Sequence, residues 1–178
     1  MAAASSRALA LPASSRTLVV EVSSLSGLKA AGKKLGDVLE PDAELDGLRP
    51  YATLSMGPLS TWMREDDGRE EGATRLVATM QYVSEPEVRI RVLNQTDPEC
   101  RAAQRDTLFG EAVLPLDRSQ LEANMEDTDA GPLFRALDLR LGFNSECGSL
   151  EVKYHLTDLA PSEWQARSIT RTKPSPKF

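Results

Sequence analysis

The chain has few of the side chains that most enzymes and metalloproteins use for chemistry. Of its 178 residues, one is a histidine and two are cysteines. Cys100 and Cys147 lie far apart, in a spacing unlike that of a zinc site. A disulfide framework would have more cysteines in a shorter chain, so the sequence favours a reducing compartment.

The sequence also has no long apolar run and no excess of positive charge. No stretch approaches the roughly 20 apolar residues of a membrane-spanning helix. The formal net charge is −6 and the pI is about 4.9. Nucleic acids and anionic lipids attract basic surfaces, so this balance argues against general affinity for either. We therefore expect no nucleic-acid partner.

Sequence motifs of enzymes are missing as well. The chain has no Gly-x-Ser-x-Gly elbow, phosphate-binding loop, dinucleotide glycine fingerprint or His-Glu-x-x-His helix. His155 is the one histidine available as a base for a serine or cysteine nucleophile, and it lies among charged residues of an alternating segment. The sequence predicts an exposed strand residue there, no catalytic residue, no cofactor and no enzymatic activity.

What the chain has is a series of short segments typical of β-strands. In Val88–Asn94, Val88, Ile90 and Val92 alternate with Arg89 and Arg91, which predicts a strand with one buried face. Eight such segments are separated by turn-rich connections, and few helices are available for parallel crossovers. They are 17–22, 51–56, 61–64, 74–83, 88–94, 109–116, 134–141 and 149–156. The pattern predicts an all-β, eight-stranded antiparallel sandwich.

Two further segments have helical character. In Leu28–Leu39, leucine and valine recur near one face, although Gly32 and Gly36 interrupt them, so we expect a weak helix in a long first loop. The segment 117–122 is predicted to form a short turn.

The order of these segments resembles the C2 domain, a β-sandwich module that often binds calcium and phospholipid. The resemblance covers roughly Thr17 to Leu159 and is clearest where Val88–Asn94 is followed by a polar loop and by Phe109-Gly110-Glu111. Leu18–Val22 resembles the first strand of the family, and Pro50–Leu54 its second. Gly148–Val152 resembles the final strand. The resemblance implies a C2-like sandwich.

The calcium ligands of the C2 family are absent at the matched positions. The family has an Asp-x-Asp pair and a further Asp three residues before the glycine, where this chain has Asn94, Thr96 and Thr107. Arg49 replaces the Asp of the Asp-Pro-Tyr triplet. The resemblance thus implies a domain without a metal site. Other acids lie nearby in sequence, so a shifted calcium site remains an alternative. They are Asp42, Glu44, Asp46, Asp97 and Asp106.

Charge divides the chain into three parts. Residues 1–16 and the tail after Glu163 contain six basic residues and no acid, and the whole chain carries −6, so the residues between carry about −12. We predict a basic N-terminal extension over 1–16, the sandwich over 17–160 and a basic C-terminal arm over 161–178. A mitochondrial transit peptide is an alternative for the N-terminal extension.

These features predict a calcium-independent protein-interaction module, a structural or scaffold subunit of a larger assembly. We expect the arm to bind an acidic protein surface in the cytoplasm, in association with the cytoskeleton or a cilium. Trp62 is interpreted as either an anchor for a partner or a core residue. The predicted contact residues of the arm are Trp164, Arg167, Arg171, Lys173, Lys177 and Phe178.

The alternative function is peripheral membrane binding. Lys29, Lys33 and Lys34 lie beside Leu35 in the first loop, a composition that suits a tip touching phospholipid. Three lysines in a loop are also typical of an ordinary solvated surface.

Overall fold

The computed structural model describes residues 16–30, 33–39, 45, 47–68, 73–96, 106–127, 129–142 and 145–163. Within this part of the chain, strands dominate and there is one helix of more than one turn. The strands are β1 Thr17–Ser26, β2 Lys29–Ala30, β3 Lys33–Lys34, β4 Pro50–Met56, β5 Leu59–Trp62, β6 Arg64–Gly68, β7 Ala73–Gln81, β8 Glu87–Asn94, β9 Thr107–Pro115, β10 Leu133–Leu141 and β11 Ser145–Thr157. The helix is α1, Arg118–Glu126.

Nine strands form one antiparallel sheet in the order β5-β4-β8-β9-β10-β11-β1-β7-β6. The sheet folds over into two layers at the junction of β9 and β10. There the described strands are joined by a single residue pair, Arg140 with Glu111. Strands β5, β4, β8 and β9 form the first layer, and the other five form the second. At the opposite side the chain itself crosses between the layers, where Met63 separates β5 from β6. The architecture is an antiparallel, C2-like β-sandwich.

One apolar cluster fills the space between the layers. Leu54 and Ile90 of the first layer and Val20 and Val152 of the second are fully buried within it. The alternation predicted for β8 is confirmed, since Val88, Ile90 and Val92 are buried and both arginines between them are exposed. Period-two alternation therefore placed this strand correctly.

All eight predicted strands are present, and the third is divided in two. The segment 61–64 contains a bend at Met63, whose amide donates to the carbonyl of Ala52 across the first layer at 2.9 Å. The next residue, Arg64, already pairs with Val77 of the second layer. The large sheet has nine strands where eight were predicted, because one predicted strand contributes to both layers, and β2 and β3 form a separate two-stranded sheet.

The hairpin that joins β4 to β5 explains the Gly57-Pro58 pair. Met56 pairs with Leu59, so these two residues form the whole turn. Gly57 has φ of +55°, the positive value that two-residue hairpin turns require at their first central position. The turn fixes the register of β4 and β5, which places Trp62 opposite Thr53.

The helix predicted over Leu28–Leu39 is wrong. The described residues form a hairpin instead, in which Lys29 pairs with Lys34. The amide of Leu35 donates to the carbonyl of Leu28 at 2.7 Å, so the apolar residues meet across the hairpin and not along a helix. Glycine opposes helix formation, and cross-chain pairing buries the same apolar side chains without it.

The turn predicted at 117–122 is the start of α1. Asp117 is the N-cap, and its carboxylate accepts a hydrogen bond from the amide of Gln120 at 3.2 Å. Leu121 is the buried residue of the helix, and Glu122 pairs with Arg16 at 2.8 Å. The helix thus connects the residue just before β1 to the end of β9.

Candidate functional site

The loop end of the first layer brings together the residues matched to the calcium positions of C2 domains. The side-chain oxygen of Asn94 accepts a hydrogen bond from the backbone amide of Arg49 at 2.8 Å. The amide of Gln95 donates to the carbonyl of Arg49 at 2.9 Å. Protein groups therefore join the start of β4 to the end of β8.

Asp106 connects two further segments at the same end. One carboxylate oxygen accepts a 2.5 Å hydrogen bond from the hydroxyl of Tyr51. The other accepts a hydrogen bond from the amide of Thr96 at 3.1 Å. Burial and the bond to Asp106 raise the pKa of Tyr51, so its hydroxyl keeps its proton and remains a donor at neutral pH. Asp106 ties β4 to the residues on either side of the 97–105 segment.

The structure tests the shifted calcium site only in part. Both oxygens of Asp106 already accept protein hydrogen bonds. Within the described ranges, no group of three or more His, Cys, Asp or Glu side chains is arranged to hold a metal ion. The other acids of that alternative, Asp42, Glu44, Asp46 and Asp97, lie outside the described residues. The absence of a metal site therefore stays a prediction.

Trp62 lies on the outward side of β5, beside this loop end. Its ring stacks on that of Tyr51, with centroids 4.5 Å apart and an angle of 8° between planes. It is 47% exposed, so the interpretation of Trp62 as a core residue is wrong. The contacts from Asp106 to Tyr51 and from Tyr51 to Trp62 hold one exposed aromatic surface in a fixed orientation. Sequence reasoning missed these contacts, since 55 residues separate Tyr51 from Asp106.

The outward face of the first layer continues as a row of ion pairs. Arg91 donates to Glu111 at 2.7 Å, and Arg89 pairs with Glu87 at 3.1 Å and with Glu111 at 3.6 Å. Val113, on the same face, is 41% exposed. Charges balance along this row, so the face attracts ligands of neither sign strongly.

The outward side of the second layer is different, because its centre, around β1 and β7, is buried. Val19 is 2% exposed, and Val77 and Thr79 on the neighbouring strand are also buried. His155 pairs with Val19, and burial lowers the pKa of its imidazole although Glu21 opposes that shift. The prediction that His155 is exposed is therefore wrong. The sequence prediction rested on the charged neighbours of His155 in its own segment. The apolar residues at successive positions of β1, the strand that pairs with it, indicate burial on both faces.

The structure places the predicted lipid tip at the β2–β3 hairpin. Lys29 and Lys34 are both exposed and lie opposite each other. Leu35 packs against the core cluster, so it is not available to enter a bilayer. The side chain of Lys33 lies outside the described residues. Two exposed lysines beside a Leu35 that packs on the core make a weaker lipid tip than the sequence predicted.

The C-terminal contact residues predicted from the sequence lie outside the described residues, which end at Glu163. Their role in partner binding stays a prediction. In the described part of the chain, no helix has both the length and the apolar content to cross a membrane.

Comparison with known proteins gives similarity in fold alone. No protein-family model matches the chain, and no curated protein matches it. One similar solved structure is the C2A domain of plant Extended Synaptotagmin 1, with 14% identity and a TM-score of 0.47, covering 81% of this chain and 95% of that one. Another contains the C2A and C2B domains of Extended-Synaptotagmin 2, with 16% identity and a TM-score of 0.47. That match covers 88% of this chain and about half of the other, 46%. The fold assignment rests on the strand order and pairing themselves.

Proposed function

We propose that this chain is a non-catalytic, calcium-independent C2-like module that binds protein partners as a structural subunit of a larger assembly. The observation that supports this most is the pair of hydrogen bonds that Asp106 accepts, one on each carboxylate oxygen, from the Tyr51 hydroxyl and the Thr96 amide. A calcium ion needs six to eight oxygen ligands, several of them carboxylates. Here the one described acid at the loop end serves to hold the loops.

Electrostatics at the loop end also disfavours a bound cation. Arg49, at the position of a family ligand, is exposed and carries a positive charge, while Asn94 binds the backbone amide of Arg49 with the oxygen that a metal would need. The hydrogen bonds that Asp106 accepts orient its carboxylate towards the Tyr51 hydroxyl and the Thr96 amide.

Protein binding is supported by what the loop end presents instead. Trp62 is a large exposed aromatic held flat on a second ring, and aromatic residues of this kind are enriched among the residues that dominate binding energy at interfaces. The basic arm, residues 161–178, adds charge that suits an acidic partner surface. We place the module in the cytoplasm, with a cytoskeletal or ciliary assembly as partner.

Affinity purification of the full chain from native cells tests this proposal. We expect the same partner proteins to be recovered in calcium and in chelator. Deletion of residues 165–178 is expected to reduce their recovery, more strongly at low salt than at high salt because salt screens the charge of the arm, while thermal melting of the sandwich stays nearly unchanged. Partners that require calcium, or the recovery of no partner by the unaltered chain, would contradict the proposed function.

Membrane binding is the second candidate, and the exposed Lys29–Lys34 pair is the observation that favours it. Two facing cations attract acidic headgroups, although each contributes only about 1 kcal/mol near an anionic surface. Co-sedimentation with vesicles of acidic phospholipid at low salt tests it. Sedimentation that is lost when both lysines become glutamine would support this candidate, and no sedimentation of the unaltered chain removes it.

A further inference from the structure

The two end strands of the nine-stranded sheet differ in how they are protected from pairing. Each has one hydrogen-bonded neighbour in the described sheet, β4 for β5 and β7 for β6. Strand β6 reads Arg-Glu-Asp-Asp-Gly, and charged residues on an edge oppose the addition of another strand. Strand β5 reads Leu-Ser-Thr-Trp and contains no charged residue and no proline. The β5 edge therefore lacks the usual protection.

Backbone geometry shows which groups β5 presents at that edge. The amide of Met63 donates to the carbonyl of Ala52 on β4 at 2.9 Å. In an antiparallel pair, alternate residues bond to the same neighbour, so Thr61 also bonds to β4 and the residues between do not. The amides and carbonyls of Ser60 and Trp62 point away from β4. They form two successive positions at which an extended chain can hydrogen-bond.

The side chains at these positions are suited to receive a partner. Ser60 and Trp62 are both exposed, on the outward side of the first layer. The Trp62 ring is already ordered by its stacking on Tyr51, which is itself fixed by Asp106. Binding to a pre-ordered aromatic ring avoids most of the entropy cost of immobilising a side chain.

Charge around the edge selects the kind of segment. Arg49 lies two residues before Tyr51 in the chain and Arg64 two residues after Trp62; both are exposed, and neither has an acidic partner among the described residues. At the opposite edge of the sheet, the sequence of β6 contains three acids, which would repel an acidic strand. We propose that the β5 edge binds an extended acidic segment of a partner protein as an added strand, with one of its apolar side chains on Trp62. This rests on the proposed function and names its docking surface.

Nuclear magnetic resonance titration of the isotope-labelled full chain tests the proposal. The probes are a nine-residue peptide alternating valine with glutamate and a matched peptide with lysine in place of glutamate. The acidic peptide is expected to shift the amide signals of Ser60 and Trp62 and to slow their exchange with solvent. The lysine peptide should bind at least tenfold more weakly. Equal binding of both peptides, or no response at these two amides, would overturn the proposal.

Paired variants separate the backbone contribution from that of the side chains. S60P removes an amide that bonds to no described neighbour, so edge strands tolerate it, and it should weaken peptide binding at least tenfold. S60A keeps the amide and should bind as the unaltered chain does. W62A should weaken binding similarly, while W62F recovers part of it. If S60P lowers the melting temperature, its loss of peptide binding is not informative, and the comparison of W62A with W62F tests the proposal instead. Unchanged binding by W62A then overturns the proposal.

Two controls identify other surfaces and other ligands. Phe134 is 57% exposed on the second layer, so F134A should leave peptide binding unchanged. Vesicles of anionic phospholipid should leave the Ser60 and Trp62 amides unaffected, and a response there equal to that of the acidic peptide would assign the edge to membranes instead.

Failure of this proposal is distinguishable from failure of the proposed function. Partners recovered in full by both S60P and W62A would overturn the docking edge and leave the proposed function standing. No partner recovered by the unaltered chain would overturn the proposed function, while the peptide titration would still decide what the β5 edge binds.

Discussion

The outward faces of the two layers differ, and strands β8 and β1 show the difference most clearly. On the first layer, β8 alternates apolar residues with Arg89 and Arg91, and its outward face meets water. On the second layer, β1 has apolar or small residues at successive positions and is buried on both faces, with Thr17 and Val19 covered as fully as Leu18 and Val20. Alternation indicates one exposed face, and a continuous apolar run indicates a strand covered on both sides.

The comparison also locates the exposed surface available for binding. The first layer exposes Trp62, Val113 and a row of ion pairs, whereas the outward side chains at the centre of the second layer are buried or half-buried. On the first layer, Trp62 offers an aromatic anchor that is ordered by its stacking on Tyr51. This is why the loop end and the β5 edge carry the functional proposals.

The largest expected effect is in the core between the layers. Replacing Ile90 with alanine removes a fully buried side chain and should lower the free energy of unfolding by about 2–5 kcal/mol. Replacing Arg89 with alanine, on the exposed face of the same strand, should lower it by about 0.5 kcal/mol or less. Urea denaturation of both variants measures this, and equal losses would show that β8 has been given the wrong buried face.

A second prediction compares two outward-facing valines. Val19 is 2% exposed and Val113 is 41% exposed, although each points away from the core between the layers. Val19→Ala should cost about 2 kcal/mol, because it removes two buried carbon groups and leaves a cavity. Val113→Ala should cost about 0.5 kcal/mol or less. Similar costs for the two substitutions would contradict the difference between the faces.

The smallest expected effect is a pH dependence at the buried face. Burial lowers the pKa of His155 in the folded chain below its unfolded value of about 6.5, so the unfolded chain binds the proton more readily. Stability contributed by neutral His155 is present above that pH and is lost as the pH falls through it. His155→Gln should flatten the pH dependence of unfolding below about pH 6.5. An unchanged slope would mean that His155 is as exposed as the sequence predicted.

The sequence predicted most of the fold because short-range patterns encode it. The alternation of Val88, Ile90 and Val92 identified a strand face. The first loop was predicted wrongly because its spaced leucines satisfy a helix and a hairpin equally, and only contacts across the chain, such as Leu35 to Leu28, distinguish them. Local periodicity cannot supply that information.

The candidate site was less predictable, because it consists of long-range contacts. The resemblance to C2 domains correctly drew attention to Arg49, Asn94 and Thr96, whose backbone and side-chain groups meet at the loop end. It gave no indication that Asp106 binds Tyr51, or that Tyr51 supports Trp62. Those contacts depend on how distant strands are paired, which no short motif in this chain encodes.

The central claim is that hydrogen bonds between protein groups hold the loop end where C2 domains often bind calcium. Thermal melting of the full chain in millimolar calcium and in chelator tests it most directly, because any ion that binds only the folded state must raise the melting temperature. The account predicts the same melting temperature in both conditions, and a lower one in both for Asp106→Ala, which removes the acceptor for Tyr51 and Thr96. A clear rise in calcium that chelator reverses, and that Asp106→Ala abolishes, would contradict it.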